Sequence, residues 1–340
     1  MGLLYADVIV DLQAGDTGKG KVAHHLLKSK QYDLVLRYNG GANAGHTIYH
    51  NGKKIVTHQV PMGVIHGIPS VIGLGCVVDI PALIKEITEL NEAGISTDGL
   101  ILIDKRAHLV TQDHLDEDSQ EGKLGTTRRG IGPAYRNKYG RTGLRMGGIN
   151  TNIYHQFRVI DVYEMLYKNQ LNRRVLCEGA QGWQIDIDWG DYPYVTSSHC
   201  TVGSAVLNGI PPQKLRKIVG TMKAYETYSG FKTHFMDESD TDLKRLQELG
   251  NEFGATTGRA RKTRWLNLDE VLRATTVNGV TDLIINKVDV LEQVGVFKLT
   301  HNDRTKVFNT SEEFTTYVED VIYDTTEVQS IVWSRSPNEI

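Results

Sequence analysis

Residues 7–21, DVIVDLQAGDTGKGK, decide the fold. The first half is a short β-branched apolar run, and the second half is a glycine-rich turn opening onto a helical pattern at residues 19–28. The stretch therefore reads as strand, turn and helix. Free backbone N–H groups in such a turn, and the dipole of the helix behind it, can receive phosphate oxygens. The turn Gly15-Asp16-Thr17-Gly18-Lys19-Gly20-Lys21 is a phosphate-cradle candidate but not a Walker A loop. That loop has a longer spacer between its glycines and a hydroxyl after the lysine, where this chain has Gly20. An ordinary strand-to-helix turn carrying surface lysines has the same letters, so the segment does not decide function alone.

Working outward, further β-branched runs recur at residues 34–36, 71–74, 100–103, 175–177, 218–221, 283–285 and 331–333. Each is nearly continuous in apolar character, as strands covered on both faces are. Helical patterns at residues 19–28, 81–93 and 268–278 alternate with them. This predicts a three-layer α/β fold with a mostly parallel central sheet and a P-loop-like nucleotide site. With no internal repeat or low-complexity linker, a single domain over residues 1–340 is expected. Polar, glycine-rich segments follow strands at residues 13–21, 39–47, 178–182, 286–289 and 334–338. In an open parallel sheet ligands bind beyond the carboxyl ends of strands, so these loops are expected to converge on one site.

Composition narrows the function. The 340 residues carry a formal net charge of -3, with 40% hydrophobic and 23% charged residues. That leaves no basic surplus for nucleic acid, while a local Lys/Arg cluster can still hold a phosphate. The three cysteines, Cys76, Cys177 and Cys200, form no C-x-x-C pair, which points to a reducing compartment and away from structural zinc. No basic leader and no apolar run of about 18 residues is present, so no membrane span is expected and the cytoplasm is the expected location.

Several further segments carry chemistry. Residues 39–47, NGGANAGHT, are too rich in small residues to pack a core and let backbone approach a ligand, with His46 a candidate acid or hydrogen-bond donor. Asn286-Lys287-Val288-Asp289 is similar to the guanine-reading element of GTPases, in which a carboxylate accepts protons from the base. Residues 125–133, with Arg141 downstream, and residues 254–262 combine small residues, threonines and arginines. Arginine forks bind carboxylate or phosphate in bidentate fashion.

Taken in order, the phosphate turn, Asn43-Ala44-Gly45-His46-Thr47, residues 125–135, Glu178-Gly179-Ala180-Gln181-Gly182, residues 192–198 and residues 254–259 resemble the adenylosuccinate synthetase family. The resemblance runs nearly end to end, and the chain is similar to the compact archaeal and phage forms. It implies a GTP-dependent ligase joining L-aspartate to C6 of a 6-oxopurine nucleotide through a 6-phosphoryl intermediate. It further implies that Asp16 removes the N1 proton, that His46 and Gln181 stabilise charge at O6 and the phosphoryl oxygens, and that Lys19 bridges phosphates. Asp16 and the Gly45 carbonyl would hold Mg²⁺. The purine nucleotide would meet Asn43, Thr127, Gln181, Thr196 and, from a neighbouring subunit, Arg141, which makes a homodimer the expected assembly. Aspartate would meet Thr256, Thr257, Arg259 and Arg261. GTP would meet Gly15, Gly18, Lys19, Gly20, Gly45, Thr47, Lys287, Asp289, Ser334 and Pro337.

The match has gaps. Residues 228–235, YSGFKTHF, stand where the family has a different nucleoside-contacting loop, and Ala14, Thr17, Arg128 and Ala260 also depart from its pattern. The opening Asp11-Leu12-Gln13 with Thr17 is similar to the phage branch acting on dGMP, although that branch commonly replaces the aspartate that stands here as Asp16. IMP and dGMP thus both remain open as substrate, and GTP, ATP or dATP as donor. A non-catalytic GTP-binding regulatory protein is the reading from another class, suggested by the phosphate turn and residues 286–289 alone.

Overall fold

The strands form because their residues are apolar on both faces, and they pair as a parallel sheet because helices return the chain between them. The computed structural model describes residues 2–50, 52–168, 172–232, 235–254, 258–338 and 340. Among these, nine strands make one sheet in the spatial order Ser330–Ser334, Asp282–Asn286, Leu215–Lys223, Leu3–Asp11, Arg173–Glu178, Leu34–Arg37, Ser70–Ile72, Ile101–Asp104, Arg158–Ile160. Every pairing within it is parallel. The first strand lies at the centre, and the Arg173–Glu178 strand inserts between it and Leu34–Arg37.

Alternation along the central strand sends Ala6, Val8 and Val10 into one buried cluster and Ile9 into the other. The first cluster is covered by helices Leu268–Asn278, Val288–Val294 and Ser311–Thr325. The second lies under helices Lys19–Lys28 and Ile80–Glu92. This is the three-layer arrangement expected from the sequence. Outside it, Tyr225–Tyr228, Lys262–Asn267, Phe297–His301 and Arg304–Phe308 build a small mixed sheet that the sequence reading did not resolve.

Residues 39–47 were read as one loop, yet His46 and Thr47 open the strand His46–His50, which pairs antiparallel with Lys53–Thr57. The turn chemistry near Gly52, whose φ is 76°, marked this hairpin and outweighed the glycine content before it. Residue 334, read as loop, closes the last strand.

Helix ends divide by location. The helices beginning after Asp79, Asp240, Asn267 and Thr310 are capped by those side chains. Helices Lys19–Lys28 and Ile131–Gly140 instead start after Gly18 (φ 98°) and Gly130 (φ 70°), with no side-chain cap. Glycine tolerates this left-handed backbone and leaves the first-turn N–H groups open to an anion.

Midway along the central strand, the buried Asp7 carboxylate accepts from Tyr32 Oη at 2.7 Å and from Arg216 Nε at 3.0 Å. Asp7→Ala leaves these donors unpaired about 13 Å along the strand from Asp11. Because Arg216 is partly solvated, a loss of about 2 kcal/mol is expected in urea unfolding, with nucleotide KM values unchanged.

Candidate active site

The phosphate turn is held from below by Asp11, the residue that opens the Asp11-Leu12-Gln13 segment. Asp11 Oδ1 accepts from the Gln13 N–H at 2.9 Å, while Oδ2 accepts from Thr17 Oγ1 at 2.5 Å and Lys19 Nζ at 2.7 Å. Lys19 Nζ also donates to the Gln181 carbonyl at 2.6 Å and is almost fully buried. The ammonium expected to bridge phosphates is thus turned under the loop, where it neutralises Asp11 and ties two loops together. From the far side, Asn286 Nδ2 donates to the Thr17 carbonyl at 2.8 Å, and its amide packs against Gly18. The first residue of the 286–289 element therefore braces the phosphate turn. Gly20 has no room for a side chain, since a Cβ there would stand 2.7 Å from His46 Cβ.

His46 belongs to a buried triad. Glu178 Oε1 lies 2.6 Å from His46 Nδ1 and accepts from Arg37 at 2.8 Å, and its Oε2 accepts from the Met62 N–H at 2.8 Å. The ionised Glu178 carboxylate can only accept, so Nδ1 carries the proton given to it, and Nε2 is left as a lone pair. Burial and then the Arg37 charge lower the imidazole to about 4, so it is neutral at pH 7. Against the desolvation that would raise it, the Arg37 charge and the His46 hydrogen bond hold the Glu178 carboxyl at about 2. In the sequence Glu178 stands out only as the start of Glu178-Gly179-Ala180-Gln181-Gly182 and Arg37 not at all, so nothing links a pair 141 residues apart.

A second chain of charges enters from the other half of the sheet. Asp16, with φ 58°, accepts from Arg261 Nε at 2.8 Å. Arg261 also donates to Glu252 at 2.6 Å, and Glu252 accepts from Lys223 Nζ at 2.8 and 2.9 Å. Burial pushes the Lys223 ammonium down to about 8, while Lys223 and Arg261 outweigh burial and hold Glu252 at about 2. Arg259 spends its fork on the carbonyls of Gly125 and Thr126, both at 2.8 Å, with its guanidinium 5.3 Å from the Phe231 ring. Thr256 and Thr257 lie outside the described residues.

Asp16, His46, Lys223, Arg259 and Arg261 line one cavity of about 810 Å³. On the phosphate side are Gly15, Asp16, Gly18, Lys19 and Gly20, with Asn43, Gly45, His46 and Thr47 beside them. Thr127, Gln181 and Thr196 form the far wall with Tyr228 and Ser229, and Lys287, Asp289 and Pro337 form one end. The expected convergence of five loops is therefore present. Gln181, with φ 57°, keeps a buried Oε1 without a partner. Two expected residues stand elsewhere. Ser334 is buried at a strand end and accepts from Lys21 Nζ at 2.6 Å instead of lining the cavity, leaving Ser336 and Pro337 at the wall. Arg141 is an exposed, left-handed residue ending helix Ile131–Gly140, outside this chain's own cavity.

Asp186, Asp188 and His199 also bring ligating atoms within 4.8 Å of each other. Asp186 is committed to its own loop, accepting from the N–H groups of Asp188, Trp189 and Cys200. No described helix is long and apolar enough to cross a membrane.

A parallel α/β sheet whose carboxyl edge joins a glycine-rich turn to arginines, a buried histidine and the segment 286–289 is the architecture of a nucleotide-binding enzyme. The family model described as adenylosuccinate synthetase matches residues 8–159 and 151–328. The adenylosuccinate synthetase of Pelodictyon phaeoclathratiforme is 40% identical over 339 residues, covering 84% of this chain and 77% of the relative. That of Geobacillus kaustophilus is 39% identical over 344 residues, covering 86% and 79%. The fully ligated adenylosuccinate synthetase of Plasmodium falciparum superposes with TM-score 0.86 at 27% identity over 98% of each chain. The cyanophage S-2L succinoaminodeoxyadenylate synthetase, bound to dGMP and dATP, gives 0.76 at 22% identity over 99% and 94%, a likeness of fold. The chain belongs to the adenylosuccinate synthetase family and is a ligase of purine biosynthesis.

Removing the carboxylate with Glu178→Ala leaves Arg37 buried and uncompensated, and should cost about 3–5 kcal/mol in equilibrium unfolding. In the wild type, Glu178 contributes stability in full above about pH 4.5 and loses it as the pH falls towards 2. His46 adds to this acid lability, because below about pH 6.5 the unfolded imidazole takes a proton that the folded one refuses until about pH 4. Unfolding midpoints measured from pH 7 to 3 should fall more steeply in the wild type than in Glu178→Ala.

Proposed function

We propose that the chain joins L-aspartate to C6 of IMP at the expense of GTP, through a 6-phosphoryl nucleotide. The observation that carries this reading is the meeting, in one cavity, of the Asp16 carboxylate, the Glu178-held His46 and two uncapped helix starts. A cavity of about 810 Å³ is near the upper end for a single small ligand, in keeping with several substrates together. The two glycine-led N-termini suit two anionic groups, the triphosphate at Lys19–Lys28 and the monophosphate at Ile131–Gly140.

The purine 6-oxygen is a poor leaving group and must first become a phosphate ester. Asp16 is the base that takes the N1 proton, making O6 nucleophilic towards the γ-phosphorus. His46, neutral with Nε2 unprotonated, gains basicity as the anionic phosphoryl group approaches, takes a proton and then donates from Nε2 to the transferring oxygens. The unpartnered Gln181 side chain reads O6 beside it. The amine of aspartate then displaces phosphate at C6, its carboxylates gripped by Arg259, Arg261, Thr256 and Thr257. Arg261 thereby exchanges its Asp16 partner for substrate and frees the base, which couples aspartate arrival to the state of Asp16.

The oxygen donors available, the Asp16 carboxylate, the Gly45 carbonyl and substrate phosphates, fit a hard ion such as Mg²⁺, which would neutralise phosphate charge when bound. Asn43, Thr127 and Thr196 bind the purine nucleotide. Arg141, which stands outside its own cavity, serves the site of a second copy in a homodimer. Lys287, Asp289 and Pro337 hold guanine, with Ser334 acting through Lys21.

Asp16→Asn should lower kcat by at least about 10³-fold with the fold intact, because the amide cannot accept the N1 proton. Phosphate release measured with each component omitted should require nucleotide, GTP and aspartate together; release that ignores aspartate and the monophosphate would mark a GTP-binding regulator instead. The same assay across IMP, dIMP, GMP and dGMP, with GTP, ATP and dATP, decides the purine and the donor. A strong preference for dGMP would move the assignment to the phage-type reaction, for which Tyr228 and Ser229 on the cavity wall are the candidate contacts.

Burial lowers the Lys21 ammonium to about 8. Its bonds to Ser334 Oγ and the Ser336 carbonyl hold the turn beside the guanine end, and these weaken as the charge is lost. The KM for GTP should therefore rise several-fold between pH 7 and 9.

A further inference from the structure

Behind the active site, three histidines from three separate elements face one another. His24 lies on helix Lys19–Lys28, His50 ends the strand His46–His50, and His66 ends the short helical turn Met62–His66. Their ring centroids are 4.7 Å (His24 to His66), 5.6 Å (His24 to His50) and 6.3 Å (His50 to His66) apart. A tetrahedral ion bound by three imidazole nitrogens at about 2.0–2.1 Å sets ring centroids about 5 Å apart, so the observed triangle brackets that spacing. His66 Nε2 and His24 Nδ1 are hydrogen-bonded at 2.9 Å, so a bound ion would take the place of the proton shared between them. The ligating nitrogens of the three do not all lie within 4.8 Å of one another, so the half-buried His50 ring would have to turn inward to complete the set.

The three rings open onto a cavity of about 570 Å³, shared with Tyr32, Tyr49, Lys28 and Lys30. Among the described residues no carboxylate lines it, so the imidazoles are not committed to an acidic partner. Lys28 and Lys30 are exposed and can turn to solvent. Neutral imidazoles without carboxylates select borderline transition-metal ions over Mg²⁺ or Ca²⁺.

We propose that His24, His50 and His66 form a site for a divalent transition-metal ion such as Zn²⁺ or Co²⁺, distinct from the nucleotide site. His50 is four residues along its strand from His46, about 13 Å, so the ion would not touch the reacting atoms. It would clamp the phosphate helix, the His46 strand and the turn whose Met62 N–H holds Glu178.

The test uses the full chain without a histidine tag, stripped of metal and kept in excess Mg²⁺, titrated with Zn²⁺ by calorimetry and with Co²⁺ by visible absorption. One equivalent should bind, with the intense bands of tetrahedral Co²⁺ and an upward shift in the thermal midpoint. His50→Ala and His66→Ala should each weaken binding at least tenfold, with metal-free midpoints close to that of the wild type, whereas Asp188→Asn should bind as the wild type does. Absence of stoichiometric uptake overturns the proposal, as does uptake that both histidine variants retain or that Asp188→Asn abolishes.

Discussion

A carboxylate buried at the end of the central strand must be satisfied, and satisfying Asp11 organises everything around it. Left alone in that position its charge would cost several kcal/mol, so the ammonium of Lys19, the hydroxyl of Thr17 and the Gln13 N–H all turn towards it. Those three donors belong to the phosphate turn, whose path is therefore dictated from beneath. Because Lys19 also reaches the Gln181 carbonyl, the same charge fixes the loop that ends the neighbouring strand. The cradle is rigid because its lysine is spent on structure.

The same economy of groups explains the two kinds of helix start. Where a helix serves only the fold, an Asp, Asn or Thr side chain satisfies its first N–H groups. At Lys19–Lys28 and Ile131–Gly140, which face the cavity, a glycine in left-handed conformation replaces the capping residue and the donors stay free, while Val288–Val294, which also lines it, starts after the left-handed Lys287. Glycine in place of a capping side chain costs only about a few tenths of a kcal/mol at each end. That modest sacrifice in stability leaves a preformed place for negative charge.

Charge pairing also sets how the halves of the cavity communicate. Burial and the Arg37 charge keep His46 neutral and short of a proton while Glu178 orients it, the condition in which an incoming anion changes its basicity most. Across the cavity, Arg261 is divided between Asp16 and Glu252, so the proposed base and the proposed aspartate grip are one connected set of ions. Phe231, in the stretch that departs from the family pattern, packs on Gly125 and beneath Arg259. The divergent loop is thereby tied to both arginine-bearing segments.

What the amino-acid sequence determined by itself is what local chemistry controls. Apolar β-branched runs, helical periodicity, and glycines at positions such as Gly18 and Gly130 were enough to read the layers, the parallel sheet and the loops that meet at its edge. Hairpin register near Gly52 and the small outer sheet were less legible, because short strands share their pattern with loops. Tertiary structure alone decided which charges meet. Asn286 and Thr17 are 269 residues apart, and Asp16 and Arg261 are 245 apart. Insertion of the Arg173–Glu178 strand beside Leu34–Arg37 is what delivers Glu178 to Arg37 and His46. No periodicity encodes that strand order, since it follows from how the helices pack on both faces at once. It also turned Lys19 inward and Ser334 away from the cavity, where residue type alone had pointed both at a ligand.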